Sequence, residues 1–142
     1  MREILFKAKR IDNGEWVEGY LVKAKWYLNE KEMYVIIPTD ACFYPHCEIS
    51  EWYEVDKDTI CQYTGLTDKN GNKIWENDIL KKVDTNALGW VRERYCKVSF
   101  DKMGYWMITT EYGDGYWICE FESEQLEVIG NIFDNPELMK EV

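Results

Sequence analysis

Apolar and polar positions alternate along most of this chain in short runs, punctuated at close intervals by turn-forming residues. Alternation with a period of two places successive side chains on opposite faces of an extended strand. An amphipathic helix would instead need apolar residues three and four apart. The period of two dominates up to the C-terminus, so the chain is expected to be mainly β. Residues 3–9 and 16–22 flank Asp12-Asn13-Gly14, where Asn and Gly accept the positive φ that a hairpin turn demands. Residues 33–38 predict a third strand, stopped by Pro38. Residues 39–51 lack a period, and 52–55 resume an extended run.

The second half repeats the pattern more densely. Short strands are predicted at 73–75, 79–83, 95–100, 105–110, 116–121 and 126–130, with 84–94 as one long variable loop. Phe100, Trp117 and Phe121 are expected to fill the core and shield an interface. Asn135-Pro136-Glu137 predicts an N-cap followed by Pro in the first turn of a short helix, 136–141. Short strands separated by compact turns suit a small barrel better than a sandwich. The expected architecture is a β-rich N-terminal subdomain, 1–62, packed against a C-terminal SH3-like small barrel with its short helix, 63–142.

The stretch "GLTDKNGNKIWENDIL", residues 65–80, crowds two polar turns into a few residues. Asn70-Gly71 reverses the chain. Asn77 can adopt the left-handed conformation that re-aims it, and Asp78 can accept from nearby backbone N–H groups. A catalytic loop would need a convergent partner, so Asn70, Gly71, Asn77 and Asp78 are assigned to a structural turn.

Three ordered segments, "REILFKAKRIDNGEWVEGYLV", "VDKDTICQYTGLTDKNGNKIWENDILKKV" and "VIGNIFDNPEL", resemble the YopX family, small proteins of bacteriophages and prophages. The resemblance spans essentially the whole chain. It implies a β-rich N-terminal part and an SH3-like C-terminal barrel, and it carries over no catalytic residues. Where the family usually shows Glu-Gly-Asp-Ile-Val, this chain has Glu76-Asn77-Asp78-Ile79-Leu80. Asn is the best non-Gly residue at positive φ, so the turn should survive.

Composition narrows the possible chemistry. Seven Trp, ten Tyr and five Phe supply ample core, and the formal net charge is −10. Such a charge works against nonspecific nucleic-acid binding, which needs Lys and Arg to displace counterions. Residues 111–127 carry six acids and no Lys or Arg, which predicts a solvated outer face. No apolar run is long enough to cross a bilayer, and residues 1–20 mix charges among apolar positions, so neither membrane insertion nor a signal peptide is expected. Five cysteines without marks of secretion predict reduced thiols in a cytoplasm.

Cys42, His46 and Cys47 form the one metal-like cluster, but zinc asks for four tetrahedral S or N ligands and this segment offers three at most. His46 is the sole histidine, and as a neighbour of Cys47 in an extended chain it would point the other way. No cofactor and no catalytic group are assigned. Trp90-Val91-Arg92-Glu93-Arg94 is the one basic, aromatic-bearing loop. Exposed aromatic plus Arg is the composition of interface hot spots, so Trp90, Arg92 and Arg94, with Lys81 and Lys82 nearby, are the expected partner contacts. The expected function is a non-catalytic, self-associating interaction module of a phage or prophage. It would form a homo-oligomer and could meet a host or phage protein. The alternative is nucleic-acid binding through loop 88–94.

Overall fold

The computed structural model describes residues 2–139. Strands dominate it, and its helical segments are single 3-10 turns. The chain divides into two compact units, Met1–Tyr63 and Thr64–Val142.

In the first unit β1 (Phe6–Lys9) and β2 (Trp16–Lys25) form the hairpin that the Asn13-Gly14 turn announces, with Lys9 opposite Trp16. Gly14 takes φ 72°, and the Asn13 side-chain oxygen accepts the Glu15 N–H at 3.0 Å. β3 (Glu32–Pro38) lies antiparallel to β2. Gly19 is required there, because a Cβ would run into the Ile37 carbonyl. The irregular segment contains a two-by-two hairpin, β4 (Phe43–Tyr44) and β5 (Glu48–Ile49). β6 (Tyr53–Glu54) pairs with β3. On its other side, Ile11 N–H donates to the Glu54 carbonyl at 3.0 Å and Asp56 N–H to the Lys9 carbonyl at 2.8 Å. The sheet therefore closes into a small ring, β1-β2-β3-β6, through the bridge Arg10–Val55. Ala8, Ile36 and Val55 form its core, with Phe6, Val17, Leu21, Tyr34 and Ile60 packed around them. β7 (Cys61–Thr67) starts beside β1 and continues into the second unit; no strand was expected there.

The second unit opens with the two polar turns. β7 is joined to β8 (Lys73–Trp75) through residues 68–72, and β8 to β9 (Asp78–Thr85) through Glu76-Asn77. A meander follows: β10 (Val91–Phe100), β11 (Trp106–Thr110) and β12 (Gly115–Trp117). After 3-10 turns at Ile118–Glu120 and Ser123–Gln125, β13 (Leu126–Asn131) returns beside β9, giving the order β12-β11-β10-β9-β13. Ile74, Leu80, Cys96, Val98, Ile108, Ile118 and Leu126 make the core.

Three expectations need correction. Residues 84–94 are not a long loop: β9 and β10 stay paired out to Thr85 and Val91. The 116–121 strand ends at Trp117, where the chain turns into 3-10 geometry. Phe100 and Trp117 are half exposed, whereas Phe121 packs on the core. In β12 the alternation turns Tyr116 inward onto the core and so turns Trp117 outward. The C-terminal helix begins at Pro136 as a 3-10 turn, Pro136–Met139; its expected continuation to 141 lies outside the described residues.

The carboxylate of Asp68 ties the lead-in to the sheet. One oxygen accepts the N–H groups of Asn70 and Asn72, both at 2.9 Å, and the other accepts the Val128 N–H of β13 at 2.9 Å. Lys69 N–H donates to the Leu126 carbonyl at 3.0 Å, so the turn covers the edge of β13 that β9 leaves open. Burial acts to raise the Asp68 pKa, but the three backbone donors together with the Asn72 side chain outweigh it and hold the carboxyl below the usual carboxylate range. At the β13 bulge between Val128 and Gly130, the Asn135 side chain occupies the space that a Cβ on Gly130 would fill.

Removing this acceptor leaves three part-buried backbone donors without their partner. Asp68→Ala is expected to lower the unfolding free energy by about 2–4 kcal/mol, measured by urea denaturation near neutral pH. Because the native pKa lies below the ordinary value of 3.8, the ionised form stabilises the fold fully above that value. That contribution is lost as the pH falls through the native pKa. Asp68→Asn should therefore flatten the acid limb of the stability profile relative to wild type, and superimposable limbs would contradict the assignment.

Candidate functional site

The structural-turn residues do what their types allow. Gly71 has φ 81° and Asn77 φ 69°, the left-handed region in which Asn stands in for Gly. Asn77 N–H donates to the Val98 carbonyl at 2.8 Å, and its own carbonyl accepts the Ile132 N–H at 3.1 Å. One turn thus links the start of β9 to β10 and to the end of β13. Asp78 is buried, with its carboxylate accepting the Trp75 N–H at 2.8 Å.

The five expected partner contacts separate. Neighbours in a strand face opposite ways, and β9 sends Lys81 and Lys82 to different surroundings. Lys81 Nζ lies 3.6 Å from Glu127 and 3.7 Å from Glu93. With Lys69, it helps hold the Glu127 carboxyl below the usual range. Lys82 is buried, on the same face as Leu80. Its ammonium sits 4.3 Å from the Tyr116 ring centre and 4.4 Å from that of Phe121, and it pairs with Asp84 at 3.2 Å. Lys82 is thus a buried structural cation and not the surface contact expected of it.

Trp90, Arg92 and Arg94 stay together at the end of the β9–β10 hairpin. Asn86 shapes the tip: its side-chain oxygen accepts the Leu88 N–H at 2.9 Å and the Trp90 N–H at 3.0 Å. Leu88, Trp90 and Val91 are exposed there, Trp90 by 72 %. Arg92 is exposed, and the Arg94 guanidinium lies 4.9 Å from the Tyr112 ring centre.

A second exposed surface was not anticipated. Tyr105 and Trp117 stack with ring centres 5.3 Å apart and planes 29° apart, each half exposed, beside the edge strand β12. Next to them a cleft of about 200 Å³ is lined by Met107, Gly115, Tyr116, Trp117 and Glu120. Asp114, Glu120, Glu122 and Glu124 are exposed along the same segment. The signal was present in the alternation of 115–117, which puts Trp117 on the opposite face from Tyr116.

The first unit has an open cleft of about 570 Å³ whose walls include Lys9, Arg10, Lys31, Glu32, Glu54 and Lys57. Its charges are of both signs. Arg10 is engaged by Asp12 at 2.6 Å and lies over the Tyr53 ring at 4.1 Å, so this surface largely neutralises itself. Cys42, His46 and Cys47 lie exposed on the β4–β5 hairpin, with His46 and Cys47 both at positive φ. Among the described residues no group of three His, Cys, Asp or Glu is placed to hold a metal ion.

A family model described as YopX protein matches residues 5–140. The chain belongs to the YopX family. The crystal structure of protein EF1440 from Enterococcus faecalis is similar to this YopX-family chain with a TM-score of 0.58 and 24 % identity, over 99 % of this chain and 100 % of that one. That likeness bears on the fold alone. No curated protein matches the sequence. No helix among the described residues is long and apolar enough to cross a membrane.

Thiol chemistry should divide along burial. Burial pushes the Cys96 thiol up to about 11, and Cys61 is also buried, whereas Cys42, Cys47 and Cys119 are exposed. Brief alkylation of the native protein near neutral pH should label those three exposed cysteines and spare Cys61 and Cys96. Mass spectrometry of the intact chain reads the count, and early labelling of Cys96 would contradict the packing described.

Proposed function

We propose that this YopX-family protein is a non-catalytic accessory protein of a phage or prophage, acting in the bacterial cytoplasm as a self-associating interaction module. In this reading the second unit is an SH3-like barrel: β13-β9-β10-β11-β12 is a meander whose last strand returns beside the first through 3-10 turns. The observation that carries it is the pairing, in one unit, of an aromatic hairpin tip at Trp90 with an aromatic edge at Tyr105 and Trp117. Exposed Trp and Tyr beside Arg are what interface hot spots are made of. Covering the Trp90 side chain in a contact is worth on the order of 2 kcal/mol. The non-catalytic reading is supported by the polar groups of 65–80, since the Asp68 and Asp78 carboxylates are occupied by main-chain donors.

Nucleic-acid binding through the same hairpin is the weaker reading. Of its four cations, Lys81 and Lys82 are matched by carboxylates, which leaves Arg92 and Arg94 to meet phosphate in a chain of net charge −10.

Sedimentation velocity across a concentration series from about 1 to 100 μM tests the reading. The expected result is a mass that grows with concentration and falls for Trp90→Ser. A strict monomer throughout would contradict self-association.

A further inference from the structure

We propose that copies of this chain associate head to tail, the hairpin tip of one docking on the acidic aromatic edge of the next. This rests on the self-association reading and adds to it the two surfaces and their symmetry.

Charge dictates the choice. Two copies of net charge −10 repel unless the contact matches opposite signs. A two-fold contact of the β12 edge with itself would set Asp114, Glu120, Glu122 and Glu124 against the same acids. A two-fold contact of hairpin tips would bring together two copies of one mixed set, Arg92 and Arg94 with Asp84 and Glu93, and leave the acids of 111–127 unmet. The heterologous pairing sets the Arg92 and Arg94 of the tip against the segment richest in acids. Among the described residues neither Arg92 nor Arg94 has a carboxylate within salt-bridge distance, while Glu93 is taken by Lys81. Residues 111–127 in turn contain no Lys or Arg.

Shape agrees with charge. The tip projects Leu88, Trp90 and Val91, exposed by 83 %, 72 % and 64 %. Asn86 braces it through the Leu88 and Trp90 N–H groups, and Gly89 N–H adds a third bond to the Asn86 carbonyl at 3.0 Å. Little ordering is then left to pay on docking. The receiving edge offers the Tyr105–Trp117 stack as an apolar floor, with Glu120 on the wall of the adjoining cleft as the acid to meet Arg92. A heterologous contact does not use itself up, so each copy keeps a tip and an edge available for the next. The products are closed rings or open chains.

Charge reversal tests this on the full-length protein. Arg92→Glu and Glu120→Arg are made separately, with Trp90→Ser as a third variant. All three positions are exposed, and thermal melts by circular dichroism confirm folding. Light scattering then reads mass against concentration at low and high salt. Wild type is expected to self-associate, as a reciprocal pair, a larger ring or an open chain, and to weaken with salt. Each single variant is expected to associate at least about tenfold more weakly. An equimolar mixture of Arg92→Glu with Glu120→Arg should regain association, because each tip then meets an edge of opposite sign. A monomeric wild type would overturn the self-association reading together with this one. A wild-type oligomer that neither reversal weakens, or that the mixture fails to restore, would overturn the head-to-tail pairing alone.

Discussion

The carboxylate of Asp68 holds the second unit to its entry segment. It is buried, and it accepts from Asn70 and Asn72 within its own turn and from Val128 in β13, 60 residues away. A charged acceptor in such a place is tolerated because it is matched by backbone donors. From that anchor the chain runs through β8 to the left-handed Asn77, whose main chain bonds β10 and the segment after β13. Asp78 then fixes the start of β9. The polarity of 65–80 is used in bending and docking the main chain.

Electrostatics shapes the surface by a similar matching. Lys69 and Lys81 gather around Glu127, and Lys82 is enclosed by Tyr116, Phe121 and Asp84. These pairs absorb the positive charge of β9 and of the turn before it. Arg92 and Arg94 at the hairpin, and the exposed acids Asp114, Glu120, Glu122 and Glu124, stay outside these pairs. The distribution of what is left over, rather than the net charge, decides which surfaces can meet.

Much of this was legible in the sequence, and the exceptions have physical causes. Asn13-Gly14, Asn70-Gly71 and Asn77 announced their turns because positive φ selects those residue types. The paired stretch of β9 and β10 beyond the core read as a loop, because Asp84, Arg92 and Glu93 face water there and leave no apolar alternation. Lys82 read as a surface cation because composition does not reveal which face of a strand a residue takes. Asp78 was recognised and Asp68 was missed: the bond of Asp78 is local, whereas the decisive donor to Asp68 lies in β13. The closure of the first unit through Arg10 and Val55 is equally non-local. At the candidate site, Trp90, Arg92 and Arg94 were legible from their residue types, while the alternation of 115–117 separates Trp117 from Tyr116 without telling which of the two meets the core.

The most direct measurement is amide hydrogen exchange, resolved by residue, at Val128, Asn70 and Asn72 in the native protein. With the Asp68 carboxylate as their acceptor, these amides should exchange as slowly as the β9–β13 ladder, and Asp68→Ala should release them selectively before the rest of the sheet opens. Exchange of Val128 at the rate of a solvent-facing edge amide in the wild-type protein would contradict the role given to Asp68.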